Sequence, residues 1–369
     1  MKKEWLRTRD LLLIGGLILL AVSWLVRAAA PSAPPASETF EFNDSHLHLT
    51  NYVQEGTSIH DFLKMMGTKV GRAAIFGIPL QQEWSYSNTG GFAPTFYLQT
   101  DAPLYYYSFT DAFIAKAYLS LPPDQQARLD PMITGFNPAD MYAADHVRRV
   151  LKTFPGVFSG IGEFTIHKEL MSAKIAGGPA SLSNPALDRL LDFAGDVGLV
   201  VLIHDDVDEL LPQPGQEPYE VVQLGELFLR HPKTTVVWAH GGLGLVVQPV
   251  KDQLGIIDRL LSNPDISHLH IDLSRDETAK YVVSTPETIA ATAALINRHP
   301  DRFLFGTDEV APADQTAYLK VYRMYQPLFA QLAPSVSQQV RMGNYARLFD
   351  QARRSVRRWE KANVSEQSR

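Results

Sequence analysis

The sequence predicts an α/β protein built as a (β/α)8 TIM barrel, with a long aromatic-rich insertion after the second strand and a hydrophobic signal or anchor segment ahead of the barrel. Three observations carry that expectation. Short apolar runs alternate with segments of helical period from Phe40 onward, eight such runs can be counted, and most begin about 30 to 40 residues after the one before.

In order, the runs are "FEFNDSHLHL", "AAIFGIPL", "PMITGF", "FSGIGEFTI", "LVVLIH", "TTVVWAH", "HLHIDLS" and "RFLFGTD". The helices between them carry their own start and stop signals. In "SNPALDRLLDFAGDVG", Asn184 is placed to cap, Pro185 falls in the first turn, and Leu187, Leu190, Leu191 and Ala194 share one face. "STPETIAATAALINRHP" begins and ends in the same style. A doubly wound open sheet is the competing architecture, but no glycine-rich phosphate loop follows the first strand. The second connection is too long for one helix: about fifty residues separate "GIPL" from "PMITGF", and they include Trp84, Tyr86, Phe92, Phe96, Tyr97, Tyr105, Tyr106, Tyr107 and Phe109. Such a loop serves either as a lid or wall over a pocket or as a small hydrophobic subdomain packing on itself.

Ahead of the barrel, residues 1–30 combine a basic head, "MKKEWLRTRD", with the uncharged 16-residue run "LLLIGGLILLAVSWLV" at positions 11–26. That length suits a cleaved signal peptide or a retained membrane anchor, with small residues near Ala30 available for cleavage. Either places the body in the periplasm or another extracytoplasmic space. Residues 31–39 read as a Pro/Ala-rich linker, residues 40–350 as the barrel and residues 351–369 as a basic tail. In that tail "RRSVRRWEK" reads as a solvated helix end. A net charge of −6 offers no footprint for a phosphate backbone, so the expected partner is a small molecule and not nucleic acid. Oligomeric state is not legible. The absence of cysteine excludes disulfides, thiolate metal sites and a cysteine nucleophile, so any metal must be held by His, Asp and Glu.

Side chains alternate across a strand, so Phe40, Phe42, Asp44, His46 and His48 should share the barrel's inner face, with the two imidazoles at its open end. A His-x-His pair can grip one zinc ion, and can equally be two exposed polar residues. Other strand ends repeat the device: Glu163 on the fourth, His204 on the fifth, His240 on the sixth and Asp308 on the eighth each terminate an apolar run. Four histidines and two carboxylates at one rim point to a divalent metal site, probed most simply with Zn2+. The remaining histidines form a contrast. His231 and His299 stand in "HP" pairs at helix C-termini, where a cation suits the helix dipole. His268 and His270 open their strand, leaving Asp272 and Ser274 to reach the metal end. His60 and His146 fall in helical segments and read as solvated, while His167 is open as a substrate contact.

These pieces resemble the amidohydrolase superfamily, in particular its amidohydrolase-related branch, which includes aminocarboxymuconate-semialdehyde decarboxylase. The matching segments are "DSHLHL", "LVVLIHDD", "VVWAHGG", "FLFGTD" and "MGNYARLF", within residues 40 to 350. The resemblance implies that His46, His48, His204 and Asp308 surround a divalent metal, while His240 is catalytic or binds a second ion. The family's carboxylated lysine on strand four has no counterpart; Glu163 stands there and could bridge two ions, so one and two zinc ions both remain open. It further implies hydrolysis of an amide, ester or lactone, with Asp308 orienting a metal-activated water and accepting its proton. A metal-dependent nonoxidative decarboxylase is the alternative, for which Arg275 is a candidate carboxylate-binding residue. A membrane-tethered binding protein without activity is the alternative of another class.

Overall fold

The structure, a computed structural model, describes residues 40–207, 216–244 and 250–364. The signal or anchor and linker segments expected at 1–39 lie outside those residues. Among the described residues no helix is long and apolar enough to cross a membrane.

Eight parallel strands follow one another around a curled sheet: β1 (Phe42–His48), β2 (Val70–Phe76), β3 (Leu129–Ile133), β4 (Gly160–His167), β5 (Val200–Asp205), β6 (Thr235–Ala239), β7 (Leu269–Leu273) and β8 (Phe303–Phe305). Each falls in or overlaps one of the eight apolar runs, and each pairs with its neighbours in chain order. Beyond β8 the chain turns through Gly306–Asp308 into a ninth short strand, Glu309–Val310, which pairs in parallel with β1 in the register Leu47↔Glu309. The last strand in sequence thereby lies against the first, bringing the C-terminal ends of β1 and β8 together.

Alternation along the strands sorts their side chains into two layers. Val201 and Ile203 of β5, Val236 and Trp238 of β6, and Leu269 and Ile271 of β7 pack in the large core with the surrounding helices. The opposite faces form a separate inner cluster of Ala74, Phe76, Met132, Val200, Leu202, Val237, Ala239 and Leu304. By the same period His204 follows Val200 and Leu202 on the inner face, which is why it reaches the rim.

The first strand departs from this rule. Phe42 stacks on Tyr322 with ring centroids 4.2 Å apart and packs edge-on to Phe305, so it faces the helical layer, as Leu47 does. Residues 42 and 47 differ in parity and would face opposite ways on a regular strand. The β1–β2 register shifts between Phe42 and Asp44 and again between Asp44 and Leu47, and these irregularities absorb the difference. The expectation that Phe42 fills the interior beneath the histidines is therefore corrected; His46 and His48 remain together.

The long helix Asn344–Asn363 contributes Tyr345, Leu348, Phe349 and Ala352 to the inner cluster. It runs without a break past residue 351, where the basic tail was expected to begin. Its arginines are not merely solvated: Arg353 donates to the buried Asp130 carboxylate and, over 2.7 Å, to the carbonyl of Leu129, while Arg357 donates to the carbonyl of Phe158. Asp130 also accepts from Tyr345 Oη at 2.7 Å and from Arg72 Nε at 3.1 Å. Asn344, in the segment "MGNYARLF", donates at 2.8 Å to the carbonyls of Pro300 and Phe303, tying this helix to the start of β8.

The helix Pro185–Val197 forms as its signals predict, with Asn184 Oδ1 accepting from Ala186 N at 2.9 Å and Gly198 ending it in left-handed backbone at φ 82°. Asn184→Ala is expected to lower stability by about 1 kcal/mol, read as a drop in the denaturant midpoint without a change in slope.

In the insertion, Leu80–Gln82 pairs antiparallel with Leu104–Tyr106, and Tyr52, Ile78, Leu80, Tyr97, Leu104, Met171 and Ile175 form a cluster of their own. The two expected roles coexist. One side packs internally and presents Ile78, Phe96 and Tyr97 to a cavity above the strand ends, while Trp84, Tyr86 and Phe92 are exposed.

Candidate metal centre

The turn after β8 is shaped by Asp44. Its carboxylate accepts from Thr307 N at 2.9 Å, Thr307 Oγ1 at 2.7 Å, Tyr318 Oη at 3.0 Å and His46 N at 3.0 Å. Burial pushes its titration up to about 6 despite these donors. The same turn places Asp308 N 2.7 Å from His46 O. Gly306 is required by close approach: a Cβ there would lie 2.6 Å from His46 Cβ and 3.0 Å from Asp272 Oδ1.

His46, His48, Glu163, His204 and His240 are buried, Asp308 is partly exposed, and the six, from separate positions in the sequence, converge at the C-terminal rim. His46 Nε2 lies 3.3 Å from His48 Nε2, and both are 3.2 Å from Asp308 Oδ1. Glu163 stands between two groups. Its Oε2 is 3.3 Å from His48 Nε2, and its Oε1 is 2.7 Å from His204 Nδ1, 3.7 Å from His46 Nε2 and 3.8 Å from His240 Nε2.

Whether these groups suit a cation follows from their lone pairs. Asp272, at the inward end of β7, sits 2.7 Å from His46 Nδ1 and accepts its proton, so Nε2 is the nitrogen left to face the rim. That nitrogen is packed against a second imidazole nitrogen and two carboxylates, an arrangement that calls for positive charge among them, as a proton on Nε2 or as a cation in its place. A carboxylate behind the imidazole also fixes ring orientation and raises donor strength toward a metal. Burial disfavours a charged His46, yet the charges of Asp308 and Glu163 overcome it and hold its titration well above the ordinary value, so without an ion a proton meets the site's demand for positive charge, and a bound cation would displace that proton. Among the described residues three groupings bring their ligand atoms close enough to share an ion: His46 with His48 and Glu163; His46 with His240 and Asp272; and Glu163 with His204 and His240.

Ser274 performs the matching service for His240. Its hydroxyl donates to Asp272 Oδ2 at 2.6 Å, so at 2.9 Å it can only accept from His240 Nδ1. His240 is thereby the tautomer whose Nε2 carries the lone pair, and that atom, buried and without a hydrogen-bond partner among the described residues, lies 3.5 Å from Asp308 Oδ2. Burial lowers its titration well below the ordinary value, keeping the ring neutral. Both His240 and Asp308 hold left-handed backbone, at φ 57° and 52°, which non-glycine residues seldom adopt and which recurs where a site demands it. Ser274→Ala releases the tautomer and is expected to reduce kcat roughly 10-fold at unchanged KM, measured at saturating metal.

His204 is placed less simply than expected. Both ring nitrogens face carboxylates, Nδ1 toward Glu163 and Nε2 toward Asp206 Oδ1 at 2.9 Å, so it must release one of them to ligate an ion. Asp206 is a site residue the sequence reasoning passed over. The signal was present in "LIHDD", where positions 204 and 206 share a strand face.

The contrasting histidines lie elsewhere. His231 pairs with Asp188 and Asp192, His299 with Asp258, and His268 Nε2 bonds the carbonyl of Phe228. Burial pushes His270 down to about 3 at the start of β7. His60 is exposed, but His146 is half-buried on its helix and not solvated as expected. His167 is half-buried at the end of β4. A cavity of about 390 Å³ opens over the centre, with His48 and Asp308 at one side and Tyr52, Tyr97, Lys168 and Arg275 among its walls.

A family model described as amidohydrolase matches residues 44–351, most of the chain and all of the strand ends above. The chain belongs to the amidohydrolase family. Solved structures share its fold. An amidohydrolase from Burkholderia multivorans, crystallised with bound zinc, is 12% identical with a TM-score of 0.54, over 84% of this chain and 99% of that one. A candidate 2-pyrone-4,6-dicarboxylic acid hydrolase from Pseudomonas putida is 13% identical with a TM-score of 0.52, over 85% of this chain and 98% of that one. At such identities the likeness establishes this amidohydrolase's architecture alone, that of a curled parallel sheet.

Proposed function

We propose that this amidohydrolase is a zinc-dependent hydrolase of an amide, ester or lactone, working at the C-terminal rim of a (β/α)8 barrel. The observation that carries the reading is the Asp308 carboxylate set 3.2 Å from two converging imidazole nitrogens and 3.5 Å from a third. His46, His48, Glu163, His204, His240 and Asp308 would hold one or two ions; the two oxygens of Glu163 face different histidines, as a shared ligand's would. A bound zinc ion supplies Lewis acidity and acidifies water at neutral pH. Asp308 would orient a water and take its proton, and His240 Nε2 beside its Oδ2, where it does not itself hold an ion, would be placed to receive that proton next. The tautomer that Ser274 enforces is what leaves the His240 Nε2 lone pair free for either role.

Decarboxylation is the second reading, favoured by Arg275 in the cavity wall. The test is a panel of esters, lactones and amides run beside carboxylated aromatics assayed for carbon dioxide release, with metal content counted per chain. Hydrolysis lost on chelation and restored by zinc supports the proposal; carbon dioxide release alone supports the second reading. Protein prepared without chelator that holds no ion and turns over nothing would return the chain to a binding role. Export through residues 11–26 is part of the proposal, tested by fractionating cells that make the full chain.

A further inference from the structure

The connection between β2 and β3 turns apolar rings outward. Trp84, Tyr86, Phe92, Phe96, Phe109 and Phe113 are all exposed, Tyr86 to 81% and Phe109 to 65%. The helix Phe109–Leu119, which leads back toward β3, shows that this is built in. It buries Thr110 and Asp111 beside Ile114, Ala115 and Tyr118, while Phe109 and Phe113, one turn apart, face out. A solvated helix ordinarily has the reverse pattern, apolar inward and polar outward. Asp111 fixes the orientation. Its buried carboxylate accepts from Thr134 N at 2.9 Å and from Gly135 N at 3.0 Å, just beyond the end of β3, so a rotation that hid the phenylalanines would strand those amides.

The same stretch is almost free of charge. From Trp84 to Thr110 the one charged side chain is Asp101, and Lys174 Nζ lies 3.8 Å from it. An occupant recognised by charge, such as an acidic or basic protein or a polyanion, would find little to pair with there. Single exposed rings are ordinary on a protein surface, but a concentration of them in one connection marks a contact with another apolar surface. Trp, Tyr and Phe are moreover side chains that settle at a membrane–water interface. The chain carries the apolar run at 11–26, joined to Phe40 through residues 27–39. A linker of that length reaches at most about 45 Å, whereas the seven residues of β1 rise about 23 Å. Entry at the N-terminal end of β1 therefore leaves the insertion within reach of the bilayer such a run would occupy.

We propose that the outer side of this insertion, with Trp84, Tyr86, Phe92, Phe109 and Phe113, is a docking surface for a phospholipid bilayer with zwitterionic headgroups. Phe96 lines the cavity over the metal centre as well, so docking brings the mouth of that cavity to the lipid surface. The inference rests on the proposed function only for export through residues 11–26; the metal chemistry plays no part in it.

The chain has no cysteine, so a single one can carry an environment-sensitive fluorophore. The test places it by Ser87→Cys in the insertion and, as a remote control, by Glu226→Cys on the helix Tyr219–Arg230, both exposed positions. The protein as recovered from cells is mixed with phosphatidylcholine vesicles, with and without lipid brominated along its chains. The label at 87 should shift to the blue and be quenched by brominated lipid, and the label at 226 should do neither. Tyr86→Ser with Phe92→Ser should lower the ratio of docked to free label at 87 by about 10-fold or more, at an unchanged denaturant midpoint, since both rings are exposed. Equal responses at 87 and 226, or a response at 87 that survives the double substitution, overturns the surface. A shift at 87 that precedes lipid and grows with protein concentration overturns it in favour of a second copy of the chain, and docking confined to anionic vesicles overturns the zwitterionic assignment. An exported chain whose label at 87 ignores lipid removes the surface and leaves the proposed function standing. Docking at 87 in a chain that turns over no ester, lactone or amide upholds the surface and removes the proposed hydrolase.

Discussion

Asp308→Asn is expected to keep most of its zinc and to lose turnover by about 10²- to 10⁴-fold, the range general-base catalysis contributes. An amide preserves the shape of the carboxylate, and the turn that carries it is held by contacts the substitution does not touch: Asp308 N to His46 O, and Thr307 to Asp44. His46, His48 and Glu163 remain as donors, so occupancy falls modestly. What disappears is the ability to take a proton. Burial alone would raise the Asp308 titration, but the charge of His46 outweighs it and holds the carboxyl well below the usual range, so the side chain is an anion at neutral pH. Zinc per chain by emission spectroscopy and kcat on the best substrate of the panel decide the matter. A variant with full metal and full activity would remove Asp308 from the chemistry.

The parts of this molecule legible in its sequence are those where a local pattern has one structural outcome. An apolar run that ends in a polar residue marks a strand end, and so His204, His240 and Asp308 could be set at one rim from the sequence; His204 keeps the inward phase of Val200 and Leu202, whereas His240, out of phase with Val237 and Ala239, turns inward through left-handed backbone that no alternation announces. The bottom-plugging helix Asn344–Asn363 was not legible, because whether Arg353 and Arg357 meet water or the carbonyls of Leu129 and Phe158 depends on closure of the sheet. The side on which Phe42 lies depends on two register shifts that no periodicity announces. Asp206 and the tautomer of His240 belong to a third kind. They follow from hydrogen-bond direction at single atoms, where the residue type was visible and its partner was not. Arg275 shows the limit well: its position after β7 marked it as a candidate, but only the packing of Glu277 and Asp308 around Nε shows that its buried Nη1 has no hydrogen-bond partner among the described residues.

Asp272→Ala should weaken the centre from behind. The carboxylate is fully buried, lies 2.7 Å from His46 Nδ1, and accepts from Ser45 Oγ at 2.9 Å and from Ser274 Oγ at 2.6 Å. One side chain therefore sets the tautomer of a proposed ligand directly and that of His240 through Ser274. Removing it frees His46 to turn its lone pair away from the rim, and zinc affinity is expected to fall about 10- to 100-fold, as when the hydrogen-bond partners behind a metal ligand are lost. It also strands the buried donors His46 Nδ1 and the Ser274 hydroxyl, each left unpaired at about 1–3 kcal/mol, while Ser45 keeps the carbonyl of Phe305 at 3.0 Å, so the metal-free protein should unfold at distinctly lower denaturant. The two effects are separable: chelator competition reads affinity on folded protein, and unfolding of the stripped protein reads the stranded donors. Asp272→Asn keeps an acceptor and the volume, and should recover much of the stability while restoring less of the affinity, since an amide is a poorer acceptor for the imidazole proton than a carboxylate. If Asp272→Ala binds zinc as tightly as the parent, His46 does not owe its orientation to β7, and the lone-pair argument for the metal centre fails with it.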